Sequence, residues 1–167
     1  MCSSDLLQLL EAMSKIDYKP PQHYHLYPAP GPMAKSPYAA NALAGTVFEQ
    51  HPPFTNNKVA AQFVKEFNSR ATKAGLPDNS VEVQAAVSFT AWQLLEAGVN
   101  GAKSLDDKQI AAYLKKSVVD TIYGPTKFDG KYNHGEPAQL IRQVQNKEWK
   151  VVWPKQFAAP GIKLIPT

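Results

Sequence analysis

Apolar residues recur every three to four positions through most of this chain and every second position near its end, and the two periods separate helices from strands. Leu6, Leu7, Leu9, Leu10 and Met13 crowd one side of a helix running to about Ile16. Tyr18-Lys19-Pro20-Pro21 ends it, because proline disfavours helix at the residue before it. His23 to Tyr27 reads as a short buried strand, Pro28 to Pro37 as a proline-rich loop with no helix through it, and Ala44 to Glu49 as a second strand. After a turn-rich connection from His51 to Asn57, either Asn56 or Asn57 is a good N-cap. The helix it opens carries the stripe Val59, Ala60, Phe63, Val64, Phe67, Ala71 and Ala74, and Gly75 and Pro77 stop it.

A third helix is predicted from Glu82 to Ala97, with Val83, Val87, Trp92, Leu94 and Leu95 buried and Gly98 just past its end. Ser104-Leu105-Asp106-Asp107 reads as an acidic capping box opening a fourth helix to about Lys116, with Leu105, Ile110 and Leu114 inward. Lys115 and Lys116 suit its C-terminus. The period then changes to two. Val118 to Tyr123 is a strand broken by Gly124-Pro125, and Phe128 to Lys131 is a turn. Gln139 to Gln145 and Glu148 to Trp153 form a hairpin over Asn146-Lys147, with Trp149, Val151 and Trp153 on one face. The order predicts an α/β fold with a late antiparallel addition.

Composition narrows the function. At 44% hydrophobic residues and three Trp, the 167-residue chain can bury a core, so wholesale disorder is not expected. The net charge of +4 is spread out: no basic block exceeds Lys115-Lys116, and Arg70 and Arg142 are the only arginines. Phosphate backbones select for concentrated basic patches, so no nucleic-acid partner is expected. No stretch approaches the roughly 18 apolar residues of a membrane span, and no signal peptide is visible. The opening Cys-Ser-Ser-Asp-Leu can also be spelled by the DNA of a common sequencing adapter, so residues 1–6 are expected to be a read artefact and the chain to start inside a gene. Cys2, the one cysteine, lies there; the rest has no thiol for a disulfide, a zinc site or a nucleophile.

Candidate chemistry is sparse. His23 and His25 share a strand face at a spacing that can ligate a metal, but no third ligand is near in sequence, so no metal is expected. His134 reads as a turn residue. Ser88 lacks the Gly-x-Ser-x-Gly elbow of a serine hydrolase. Asp106 and Asp107 are explained by capping, and Asp120 and Asp129 by turn and strand-edge roles. No glycine loop cradles phosphate. The expectation is a binding protein, not an enzyme, with no catalytic residue and no cofactor.

The order of elements from Val83 to Trp153 is more specific. The helix Gln84-Ala85-Ala86-Val87-Ser88-Phe89-Thr90-Ala91-Trp92-Gln93-Leu94-Leu95-Glu96-Ala97-Gly98 is followed by the short helix of Leu105, Ile110, Leu114 and Lys115. A strand ending in Gly124-Pro125, a Phe128-Asp129 turn and a hairpin closing on Trp153-Pro154 follow. Together they resemble the C-terminal half of the type I periplasmic solute-binding proteins of ABC transporters, closest to the group that binds branched-chain amino acids, amides, urea and aromatic acids. Leu7 to Tyr27 and Phe48 to Asn57 resemble earlier units of that family.

The resemblance implies two Rossmann-like lobes joined by crossovers, with the N-terminal half of lobe 1 lacking here. Residues 7–50 would be part of lobe 2, residues 55–122 the C-terminal part of lobe 1, and residues 123–167 a crossover, hairpin and tail returning to lobe 2. Pro52, Pro53, Gly124 and Pro125 would be hinges. The loop that supplies the ligand contact from the second lobe corresponds to Tyr27-Pro28-Ala29-Pro30-Gly31. Ala29 or Pro30 stands where amino-acid binders place an acid, which speaks against an α-amino-acid ligand, because a desolvated ammonium needs a counter-charge. Gln84 would be the main polar contact, or else an exposed first-turn glutamine, and Tyr27 a stacking or hydroxyl contact. The implied partners are a small polar solute and ABC permease subunits, in a monomer when full length, outside the cytoplasm, with the signal peptide lost by truncation. A ligand-sensing domain of a receptor or regulator is the alternative. The isolated chain is expected to bind weakly or not at all.

Overall fold

The computed structural model describes residues 3–26, 31–130 and 139–166. Helix α1 (Ser3–Lys15) leads to a two-residue strand β1 (Tyr24–His25), a 3₁₀ turn over Gly31–Lys35 and strand β2 (Leu43–Thr46). Helices α2 (Lys58–Lys73), α3 (Val83–Ala102) and α4 (Asp107–Lys116) follow, then short strands β3 (Val119–Thr121) and β4 (Gly124–Thr126). The hairpin β5 (Leu140–Gln145) and β6 (Glu148–Trp153) comes last, before a 3₁₀ turn at Lys155–Phe157. One sheet runs β1-β2-β5-β6, with β1 parallel to β2 and the other pairs antiparallel; β3 and β4 pair apart from it.

Two apolar clusters hold these elements. Leu6 and Leu10 of α1 pack with Met33, Ala44, Val144 and Trp149. Phe48, Phe54, Ala60, Ala86, Ile122, Leu140 and Val151 make the second cluster, against which Phe63, Phe67 and Phe89 pack. The hairpin serves both clusters. Its turn is Asn146-Lys147, both at positive φ (53° and 63°), the geometry that keeps a two-residue loop in step with strand twist.

Local signals placed several boundaries correctly. Asn57 caps α2, its side chain accepting from the amides of Val59 (2.8 Å) and Ala60 (3.2 Å). At α4 the cap is Asp106, which accepts from Gln109 N at 3.0 Å, and not Ser104, whose Oγ accepts from Asp106 N one turn earlier. The proline-rich loop does admit one turn of helix, over Gly31–Lys35. Pro32 lies at its start, where a missing N–H costs nothing. Strands β1 and β2 are shorter than the sequence suggested, and Gly124-Pro125 belongs to β4 and does not end a strand.

The largest departures concern α3. It continues to Ala102, with Lys103 in the left-handed region as its C-cap, and Gly98 is buried inside it. A Cβ on Gly98 would stand 2.8 Å from Ile110 Cγ2, and one on Gly101 only 2.0 Å from the Tyr113 ring. These glycines let α4 lie against α3; they do not stop the helix. Val87, Trp92 and Leu95 are exposed, as are Leu9, Val59, Ala74 and Leu105. Trp153 is exposed too, because a bulge opposite Ile141 and Arg142 breaks the alternation of β6 and turns Val152 inward in its place. Helix α1 begins within the segment expected to be an artefact, and Leu6 is buried in the first cluster. Cys2, Lys131 and His134 lie outside the described residues.

Candidate functional site

A cavity of about 520 Å³ opens where the 3₁₀ turn at residues 31–35, the end of β2, the middle of α2, the loop before α3 and the hairpin meet. Such a volume is in the range of small-molecule sites. Its innermost wall is ionic. Glu49 follows β2 and Arg142 sits on β5, and both are almost wholly buried. Arg142 Nη1 donates to Glu49 Oε1 at 2.6 Å, and the guanidinium lies 4.4 Å from the Trp149 ring centre. Burial pushes the Glu49 carboxyl above its ordinary value, with Arg142 working against that shift.

The outer wall joins the 31–35 turn to the loop before α3. Gly31 N donates to Glu82 Oε1 at 2.7 Å, and Lys35 Nζ to Asp78 Oδ2 at 3.0 Å. Asp78 Oδ1 also accepts from the amide (2.8 Å) and hydroxyl (2.6 Å) of Ser80. Burial tends to raise the Asp78 carboxyl, but the Ser80 donors and Lys35 together hold it below its usual value.

Between the walls lie Gln50, His51 and Asn68. Gln50 Oε1 accepts from Val81 N at 3.1 Å and from Asn68 Nδ2 at 3.5 Å. His51 Nδ1 is 2.8 Å from the Pro52 carbonyl oxygen, and its pKa is lowered, chiefly by burial. His51 Nε2 and Asn68 Oδ1 are buried with no hydrogen-bond partner among the described residues. Each such atom costs about 1–3 kcal/mol when nothing serves it.

Gln84 stands exposed on the first turn of α3 and is not among the residues lining this cavity, whereas Glu82 is. Tyr27, Ala29 and Pro30 lie outside the described residues; Gly31, which follows them, borders the cavity. Pro52 and Pro53 form the connection after His51, joined by a cis peptide bond. His23 Nδ1 and His25 Nε2 lie 2.7 Å apart, each ring the other's partner. Among the described residues no three His, Cys, Asp or Glu side chains are grouped to hold a metal, and no helix is long and apolar enough to cross a membrane. The sequence reasoning missed Glu49, Arg142, His51 and Asn68. One signal was available: Arg142 interrupts the otherwise apolar and neutral run of β5, and a strand that buries its neighbours must give such a charge a partner.

No curated protein is similar enough in sequence to count as a relative. Solved structures share the fold. The leucine-binding protein LivK of Thermotoga maritima MSB8 is 17% identical with a TM-score of 0.67, over 95% of this chain and 43% of its own. An extracellular ligand-binding receptor from Rhodopseudomonas palustris HaA2 is 16% identical with a TM-score of 0.61, over 87% and 44%. An ABC-transporter solute-binding protein of R. palustris, in complex with benzoate, is 15% identical with a TM-score of 0.57, over 96% and 49%. The chain thus spans less than half the length of each. Residues 1–148 match the family model described as periplasmic binding protein, and the chain belongs to that family, as part of its type I α/β fold.

Proposed function

We propose that this chain serves solute capture for an ABC importer, holding a small polar molecule as two lobes close on it and releasing it to the permease outside the cytoplasm. Its family is one of binding proteins and not of enzymes. In this reading residues 7–50 form part of lobe 2, residues 55–122 part of lobe 1, and the hairpin returns to lobe 2. The observation that carries the reading is the make-up of the cavity. Gly31, Lys35 and Glu49 line it from the first segment, Asn68, Asp78 and Glu82 from the second. A site built by both segments is what closure requires. Gln50 to Phe54 and Tyr123 to Phe128, with Pro52, Pro53, Gly124 and Pro125, would flex between them. By family position, Gln84, Tyr27, Ala29 and Pro30 would be further contacts to the solute.

A thermal-shift panel of amino acids, amides, urea and aromatic acids at high millimolar concentration tests this. At ten times its dissociation constant a solute adds about 1.4 kcal/mol, so the midpoint should rise by about 3–6 °C for at least one member. A panel without any concentration-dependent shift in a protein that carries both complete lobes overturns the reading.

A further inference from the structure

Glu82 stands at the N-cap of α3, where a side-chain oxygen ordinarily accepts from the first amides of its own helix, yet it makes no capping hydrogen bond. Its Oε1 accepts instead from Gly31 N at 2.7 Å, across 51 residues of chain. Asp78, in the loop before the same helix, divides its carboxylate in a similar way. Oδ1 takes the Ser80 amide and hydroxyl, and Oδ2 takes Lys35 Nζ at 3.0 Å. Between the two contacts the chains come very close: a Cβ on Gly31 would stand 2.6 Å from Ser80 Oγ and 3.1 Å from Glu82 Oε1. Only glycine permits that approach.

The 31–35 turn and the 78–82 loop are thus joined along one short seam, at the outer wall of the cavity. Each contact brings the other within reach, because the turn that holds Gly31 also carries Lys35. The seam can also part at little cost. Asp78 would keep its Ser80 donors, and the Lys35 side chain is already 63% exposed, so opening strands no buried charge. The Glu49–Arg142 pair of the inner wall, with both side chains buried, has no such freedom.

We infer that this seam is a latch, which parts and closes as one unit and holds the two walls of the cavity together with no solute required. That it joins lobe to lobe rests on the solute-capture reading above, in which residues 31–35 and 78–82 belong to opposite lobes.

Amide hydrogen exchange of the 167-residue chain, followed residue by residue by NMR without any solute, tests the inference. Gly31 N–H should be protected, and low urea should leave its rate unchanged, because parting a seam exposes little surface. Val144 N–H, which donates to Ala42 O at 2.9 Å, should exchange faster as urea promotes global unfolding. Glu82→Ala removes the acceptor and should speed Gly31 exchange at least about tenfold. Lys35→Ala touches neither partner of that bond, yet should speed Gly31 exchange about threefold, because it removes the other half of the latch. An unchanged Gly31 rate in Lys35→Ala would mean two separate contacts and overturns the inference. So does a Gly31 amide that exchanges like an unstructured one, or one that follows Val144 in urea and so opens only when the protein unfolds. A failed latch leaves solute capture standing, whereas a silent solute panel would remove the capture reading and leave the exchange result intact.

Discussion

Glu49 and Asp78 border one cavity from different walls, and folding treats the two carboxylates in opposite ways. Glu49 is taken out of water and given a strong partner, Arg142, from 93 residues further along the chain, with Thr46 beside it as a second hydrogen-bond partner. Asp78 keeps its charge through donors two residues away in its own loop and through Lys35, whose side chain is 63% exposed. The inner wall is thus a long-range commitment of the fold, costly to disturb. The outer wall is more lightly held: the donors that keep Asp78 charged lie in its own loop, and its one distant ion-pair partner, Lys35, is exposed. For Glu49 desolvation outweighs the partner and the pKa rises; for Asp78 the hydrogen bonds win and it falls.

Arg142→Ala should break the comparison most severely. It strips the partner from a buried carboxylate, and the expected loss is about 3–5 kcal/mol by urea denaturation; a loss as small as that of Lys35→Ala would show that the inner wall is not special. Asp78→Ala should cost about 1–2 kcal/mol, since the Ser80 amide and hydroxyl lose their acceptor. The pH dependences should then run in opposite directions. A carboxyl raised above its ordinary 4.5 contributes stability in acid that is lost as pH rises through the raised value. Glu49→Gln should therefore gain on the wild type from acid toward neutral pH. Asp78, held below its ordinary 3.8, contributes above that value and loses the contribution as pH falls through the lowered one. Asp78→Asn should accordingly fall behind the wild type as pH rises. Parallel profiles for the two variants would refute the contrast. Lys35→Ala should be the smallest effect, under about 1 kcal/mol and diminished by salt, because the exposed end of that pair is screened.

Features set by neighbours in sequence were legible in the sequence. The Asn57 cap depends on a side chain reaching amides two and three residues on, and the hairpin depends on alternation across a two-residue turn. The family resemblance likewise lay in the order of such local elements, and it held. What the chain could not display was pairing at a distance. Gly98 reads as a helix stop until Ile110 and Tyr113 are placed against α3. Val87, Trp92 and Leu95 fit a helical stripe, yet the face that α3 buries is that of Val83, Ala86 and Thr90. The same limit applies to the cavity. Sequence pointed to Gln84 and to the 27–30 loop through family position alone, whereas Glu49, His51, Asn68 and Arg142 meet only once β2, α2 and β5 have come together.

Mechanically, the hairpin is a shared beam. Val144 and Trp149 anchor it in one apolar cluster, and Leu140 and Val151 anchor it in the other. Tension applied across the molecule would load both clusters through the ladder of β5 and β6, whose hydrogen bonds act together. A force that pulls the two clusters apart therefore has to work against the β5–β6 ladder or against the packing of the hairpin in one of them.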